Sequence, residues 1–177
     1  MKFFCQLLVS FFILILFQIP VLCQDSLSAH LQPFHPFINK SWKAKVAESS
    51  DKSPLYDIAK WERVLNGKGI RILHSVNDGD YGGETMIIWD SLKECLVFYY
   101  FTTAGFYTNG TVDFEDGKMI SHEYVSGNNS ISEVKSISDI TSESEMTVIT
   151  HFLKEGKWSE GKRVLYVEDP EAEVIFK

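Results

Sequence analysis

Downstream of residue 40 the chain repeatedly alternates apolar and polar positions. In GIRILHSV, residues 69–76, Ile70, Ile72, His74 and Val76 share one face, and Arg71, Leu73 and Ser75 share the other. In EMTVITHFL, residues 145–153, Met146, Val148, Thr150 and Phe152 oppose Thr147, Ile149, His151 and Leu153. A period of two predicts half-buried strands. The pattern places them at Ser41–Ala47, Asp57–Leu65, Gly69–Val76, Glu84–Trp89, Leu96–Thr102, Phe106–Phe114, Lys118–Val125, Ser132–Ile140, Glu145–Leu153 and Lys162–Val167. The segments NGKG, DSLKE, EDGK, SGNN and KEGK separate them, and each supplies glycine or Asx residues that tolerate positive φ. Short strands joined by hairpin turns, with no helices between them, predict an all-β antiparallel meander. So many strands in one flat layer would leave two bare edges, and closure into an up-and-down barrel of about 8–10 strands removes them.

Two stretches break the alternation. CLVFYYFTTAGFY, residues 95–107, is apolar or aromatic on both faces, so its outer face predicts a second cover, either the N-terminal segment or another copy of the chain. Upstream, Leu27, Leu31, Phe34 and Phe37 recur at helical spacing around Pro33 and Pro36, which predicts a short helical plug over residues 24–40. The domain boundaries that follow are 1–23, 24–40 and 41–177.

The first 23 residues have a different character. Lys2 precedes an apolar run from Phe3 to Ile19, then Pro20, with Val21 and Cys23 at the spacing of a signal-peptidase site. This reads as an export signal, and a retained anchor is the rival reading. Either one puts the folded part outside the cytosol, secreted or extracytoplasmic. Cys5 and Cys23 belong to this leader, so Cys95 is the one cysteine of the barrel and an internal disulfide is excluded there. The net charge of −7 argues against nucleic acid as a partner.

HSVNDGDYGGETMIIWD, residues 74–90, gathers three glycines and four acidic side chains. A calcium loop of the EF-hand kind fails there, because Gly82 and Trp89 fall where oxygen donors are required. A phosphate loop fails too, for want of lysine and a following helix. A bulged hairpin with solvated acids is the reading that remains. His30, His35, His74, His122 and His151 show no HxH or HExxH spacing, so no metal site is predicted, and no nucleophile elbow or cofactor motif occurs.

Parity and polarity select Trp61, Arg63, His74, Tyr100, Thr102, Phe106 and Glu133 as wall or rim positions of the barrel interior. The rival for the charged pair is an outward cross-strand ion pair. Sequons occur at Asn39, Asn109 and Asn128, and they matter only in a cell that glycosylates.

PFINKSWKAKV, with Trp42 entering the first strand, resembles the opening of lipocalin-like (calycin-type) barrels. The stretch WERVL through NGTV, residues 61–112, is similar to small secreted proteins of unknown function with that barrel. The resemblance covers most of residues 31–168. It implies an up-and-down barrel whose first Trp closes the bottom, and it carries over no catalytic residue. A barrel of this size holds one small apolar or amphipathic ligand. The expected function is therefore ligand binding. The alternatives are a small isomerase- or cyclase-type enzyme using an inward acid–base pair, and a filled barrel acting as a structural or interaction protein.

Overall fold

The computed structural model describes residues 26–46, 54–125 and 131–177. Residues 1–23, expected above to be an export signal, and the sequon at Asn128 lie outside them.

Ten strands follow one another as hairpins: β1 Lys40–Lys45, β2 Tyr56–Val64, β3 Gly69–Val76, β4 Tyr81–Asp90, β5 Cys95–Thr102, β6 Tyr107–Glu115, β7 Lys118–Tyr124, β8 Glu133–Ser142, β9 Glu145–Lys154 and β10 Lys157–Glu168. Each pairs antiparallel with its neighbour in sequence, and β1 pairs with β10 through Trp42 opposite Glu168, so the sheet closes. The elementary reason is the one the alternation gives. Each strand has one apolar face to hide, and closure joins the two edge strands where β1 meets the end of β10.

The turns sort into two ends. Residues 65–67, 91–94, 116–117 and 143–144 lie at one end, which the N-terminal segment plugs. Within its described part, this segment is a six-residue 3-10 helix, Ala29–Phe34, followed by turns. A longer α-helix is ruled out by chemistry, because Pro33 and Pro36 lack the N–H groups that α-helical bonding needs. The plug nevertheless buries Leu31, Phe34 and Phe37 almost completely. Phe34 meets Phe114 edge-on at 5.0 Å, and Phe37 stacks on Trp61 at 5.3 Å. Trp42 is fully buried beside them and donates its indole N–H to the Phe37 carbonyl at 3.1 Å. The segment is tied to the β2–β3 turn by the Ser28 amide on the Gly67 carbonyl, 2.8 Å.

The β3–β4 hairpin corrects one expectation. Its register runs without a shift from Val76 opposite Tyr81 to Gly69 opposite Ile88, so it carries no bulge. Asn77 and Asp78 make the turn with positive φ of 51° and 52°. Gly82 and Gly83 lie inside β4, where they serve close packing. A Cβ on Gly83 would stand 2.1 Å from the Phe101 carbonyl oxygen and 2.6 Å from the Tyr100 ring. Irregularities fall elsewhere: β10 is twice the expected length and slips register between Glu160 and Arg163, and the β8–β9 ladder shifts between Ile140 and Ser142.

Candidate functional site

Above the plug the barrel holds a cavity of about 270 Å³ that opens to solvent. Its lower wall is apolar: Ala59, Trp61, Ile72, Ile87, Phe98 and Val112, with Met119, Met146 and Val148 opposite. Higher up the wall changes character. Thr85, Ser121, Glu123 and Ser136 line one side, and His74, Tyr100 and Tyr166 line another, while Ser138 lies lower, opposite Met119 and Val148. One end of the cavity thus suits an apolar body and the other a polar group.

The polar end is organised around Asp57, at the start of β2. Tyr166 of β10 donates its hydroxyl to Asp57 Oδ2 at 2.8 Å. His74 Nε2 of β3 lies 2.9 Å from Asp57 Oδ1, but the contact is poorly aligned, and Oδ1 accepts no well-directed hydrogen bond. His74 Nδ1 is 3.3 Å from the Tyr100 hydroxyl, which is itself 3.3 Å from the hydroxyl of Tyr81. Hydroxyl protons rotate to suit their partners. Tyr100 donates its one hydroxyl proton to Tyr81, so its oxygen is left to accept from Nδ1 of His74. Every member of the chain then has a role. Burial, reinforced by Tyr81 and by the charges of Glu123 and Asp57, pushes the Tyr100 phenol far above the usual tyrosine range. Burial and then Asp57 do the same to Tyr166. Both therefore stay neutral donors.

The residues selected from sequence divide among three places. Trp61, His74 and Tyr100 line the cavity. Arg63 shares their parity but sits lower, where its Nε donates to the Ser26 carbonyl at 3.1 Å and fastens the plug. Thr102 donates its hydroxyl to the Phe106 carbonyl at 2.8 Å, which shapes the β5–β6 turn, and Phe106 is half exposed there. Glu133 stands outside: its Oε1 is 2.7 Å from His122 Nδ1 on the outer wall.

The error at Glu133 has a physical cause. Ile131 and Ile137 share its face, and that apolar company pointed inward. In the structure Ser136 and Ser138 face the cavity, while Ile137 joins His122, Lys135, His151 and Trp158 in an outer groove. A polar cavity wall inverts the usual sign of the alternation. Asp57, Tyr81, Glu123 and Tyr166 were missed for a related reason. Each is polar in a strand, and the default for such residues is water. Parity alone would have found two of them, since Asp57 alternates with Ala59 and Trp61, and Glu123 with Met119 and Ser121.

Among the described residues no group of three or more His, Cys, Asp or Glu side chains could hold a metal ion. Asn39 and Asn109 are both exposed. Fold and site together define a closed antiparallel barrel with an internal cavity, apolar toward its plug and polar toward its other end. No protein-family model matches the chain, and no curated protein matches it at a significant level.

Proposed function

We propose that this barrel binds one small amphipathic molecule in its interior, as the lipocalin-like resemblance of its sequence implies. The observation that carries this reading is the gradient of the cavity wall, from Trp61, Ile87 and Met146 below to His74, Tyr100 and Glu123 above. A filled structural barrel would have no use for four small hydroxyl residues and a carboxylate facing an empty space. The volume of about 270 Å³ stands near the lower limit of small-molecule sites. The ligand is therefore compact, of the size of an arylalkyl or short alkyl compound. Export through the leader 1–23 belongs to the same reading, as does a contact between copies through the exposed aromatic face of β5 and β6.

The test is thermal unfolding against a panel of compact amphipathic compounds. A ligand at a hundred times its Kd adds about 2.7 kcal/mol to stability, a shift easily measured. The reading expects concentration-dependent stabilisation by some members of the panel. A flat response across apolar, neutral polar, cationic and anionic members contradicts it.

A second reading has one observation in its favour. The chain Asp57–His74–Tyr100–Tyr81 sets a carboxylate, an imidazole and two phenols in line beside the cavity. That is an arrangement able to hold or move a proton on a bound molecule, as an isomerase- or cyclase-type enzyme requires. Loss of turnover with retained ligand binding in His74→Gln would separate this enzyme from a simple binder.

A further inference from the structure

We infer that the ligand of this cavity is an organic cation, a compact apolar body bearing a protonated amine, with Glu123 as its counter-ion. The inference rests on the proposed binding function and names the ligand class for the same site. It starts from charge. Glu123 lines the cavity and is part-buried there, and among the described residues its carboxylate has no ion-pair partner. Asp57 adds a second carboxylate behind His74 and Tyr166. No lysine or arginine lines the cavity. Arg63, the one guanidinium with inward parity nearby, is turned to the Ser26 carbonyl.

A carboxylate inside a half-buried apolar chamber is costly unless a positive charge or several donors answer it. Folded proteins usually supply that partner from the chain. The outer wall of this one does so repeatedly: Glu62 has Arg71 and Lys60, Asp169 has Lys43, and Glu168 has Lys40. The cavity wall supplies no such cation for Glu123. A ligand that brings one makes with this carboxylate the charge pair that the wall itself does not provide.

The rest of the wall suits such a guest. Trp61, Phe98, Tyr100 and Tyr166 present aromatic surface, toward which an ammonium group is attracted. The hydroxyl oxygens of Ser121 and Ser136, paired opposite each other one step below Glu123, offer acceptors for ammonium N–H groups. An anionic guest would meet two carboxylates and no cationic lysine or arginine, so the same wall repels it.

The experiment uses three probes on one frame: 2-phenylethylamine, 2-phenylethanol and phenylacetate. Each is titrated calorimetrically into the protein and into Glu123→Gln, whose side chain keeps its shape and loses its charge. The expected order is amine tighter than alcohol by about tenfold or more, a margin typical of one partly buried charge pair, with phenylacetate weakest. In Glu123→Gln the margin of amine over alcohol collapses to about threefold or less. Equal or tighter binding of the alcohol or the carboxylate overturns the cation assignment and leaves the binding function standing. An amine preference undiminished in Glu123→Gln overturns the role of Glu123. If none of the three binds and longer alkylamines of matched series fail as well, the binding function falls and the cation assignment with it. Circular dichroism of the variant, compared with the parent, confirms that the barrel is intact in each case.

Discussion

Asp57 gathers more of the site's chemistry than any other residue. One of its oxygens is held by Tyr166, and the other faces His74 without a well-aligned bond. Removing the Tyr166 hydroxyl leaves a carboxylate oxygen without its donor, at a cost of about 1–3 kcal/mol. Tyr166→Phe should therefore lower Tm by several degrees, measured by thermal unfolding at neutral pH. The same phenol and that of Tyr100 set a pH dependence. Their folded pKa values are raised by burial, whereas an unfolded tyrosine ionises near 10. Below about pH 10 both states keep the proton, and the stabilisation is whole. As the pH rises past 10 the unfolded chain loses its protons first, so stability falls. Unfolding measured from pH 9 to 11.5 should show this decline, and a Tyr100→Phe/Tyr166→Phe variant should show a shallower one. A variant that declines as steeply as the parent would place the alkaline sensitivity elsewhere.

At the level of elements, the plug and the strands make different demands on the sequence. The strands were legible in number and order, though β4 begins three residues and β10 five residues before the expected start. β3 matches its expected bounds, and the turns at Asn66, Asp90, Glu115 and Lys154 fall where glycine and Asx residues mark them. The plug was legible in its buried side chains, though not in its backbone: Leu31, Phe34 and Phe37 recur at α-helical spacing, yet the prolines hold the segment to 3-10 geometry and turns. The site was legible in Trp61, His74 and Tyr100, whose apolar neighbours fixed their face. It was illegible on β8, where serines line a cavity and isoleucines face a groove outside. Alternation tells which residues share a face, and it assigns that face only when the interior is apolar. Because the plug holds no backbone ladder of its own, its rings carry its attachment. Phe34→Ala should cost about 3–5 kcal/mol and should raise hydrogen exchange at the amides of Ser28 and Leu31 more than at the strand amides. Uniform loss of protection across all strands, with the plug no more affected, would show that the plug is not a separate unit.

Over the whole molecule, the closed sheet offers two surfaces of opposite character. Inside lies the graded cavity. Outside, Tyr99, Phe101, Tyr107 and Tyr124 are each more than two-fifths exposed on neighbouring strands, with Phe101 and Tyr107 rings 6.0 Å apart. An exposed aromatic patch of this kind is what the proposed contact between copies would use. Sedimentation should show concentration-dependent self-association that Phe101→Lys weakens, and a monomer at all concentrations would leave the patch to another use. Asn109 lies between Tyr99 and Tyr124 in the sheet, so a glycan there would block the same contact.

The central claim is that the space inside the barrel is where the molecule acts, and methionine methyl resonances report on it directly. Met119 and Met146 line the cavity, while Met86 pairs with Arg71 and Tyr99 on the outer wall. Titration of the protein with 2-phenylethylamine and 2-phenylethanol should shift the Met119 and Met146 methyls together along one saturable curve and leave Met86 in place. Movement of Met86 alone, or of none of the three at saturating ligand, would contradict the account.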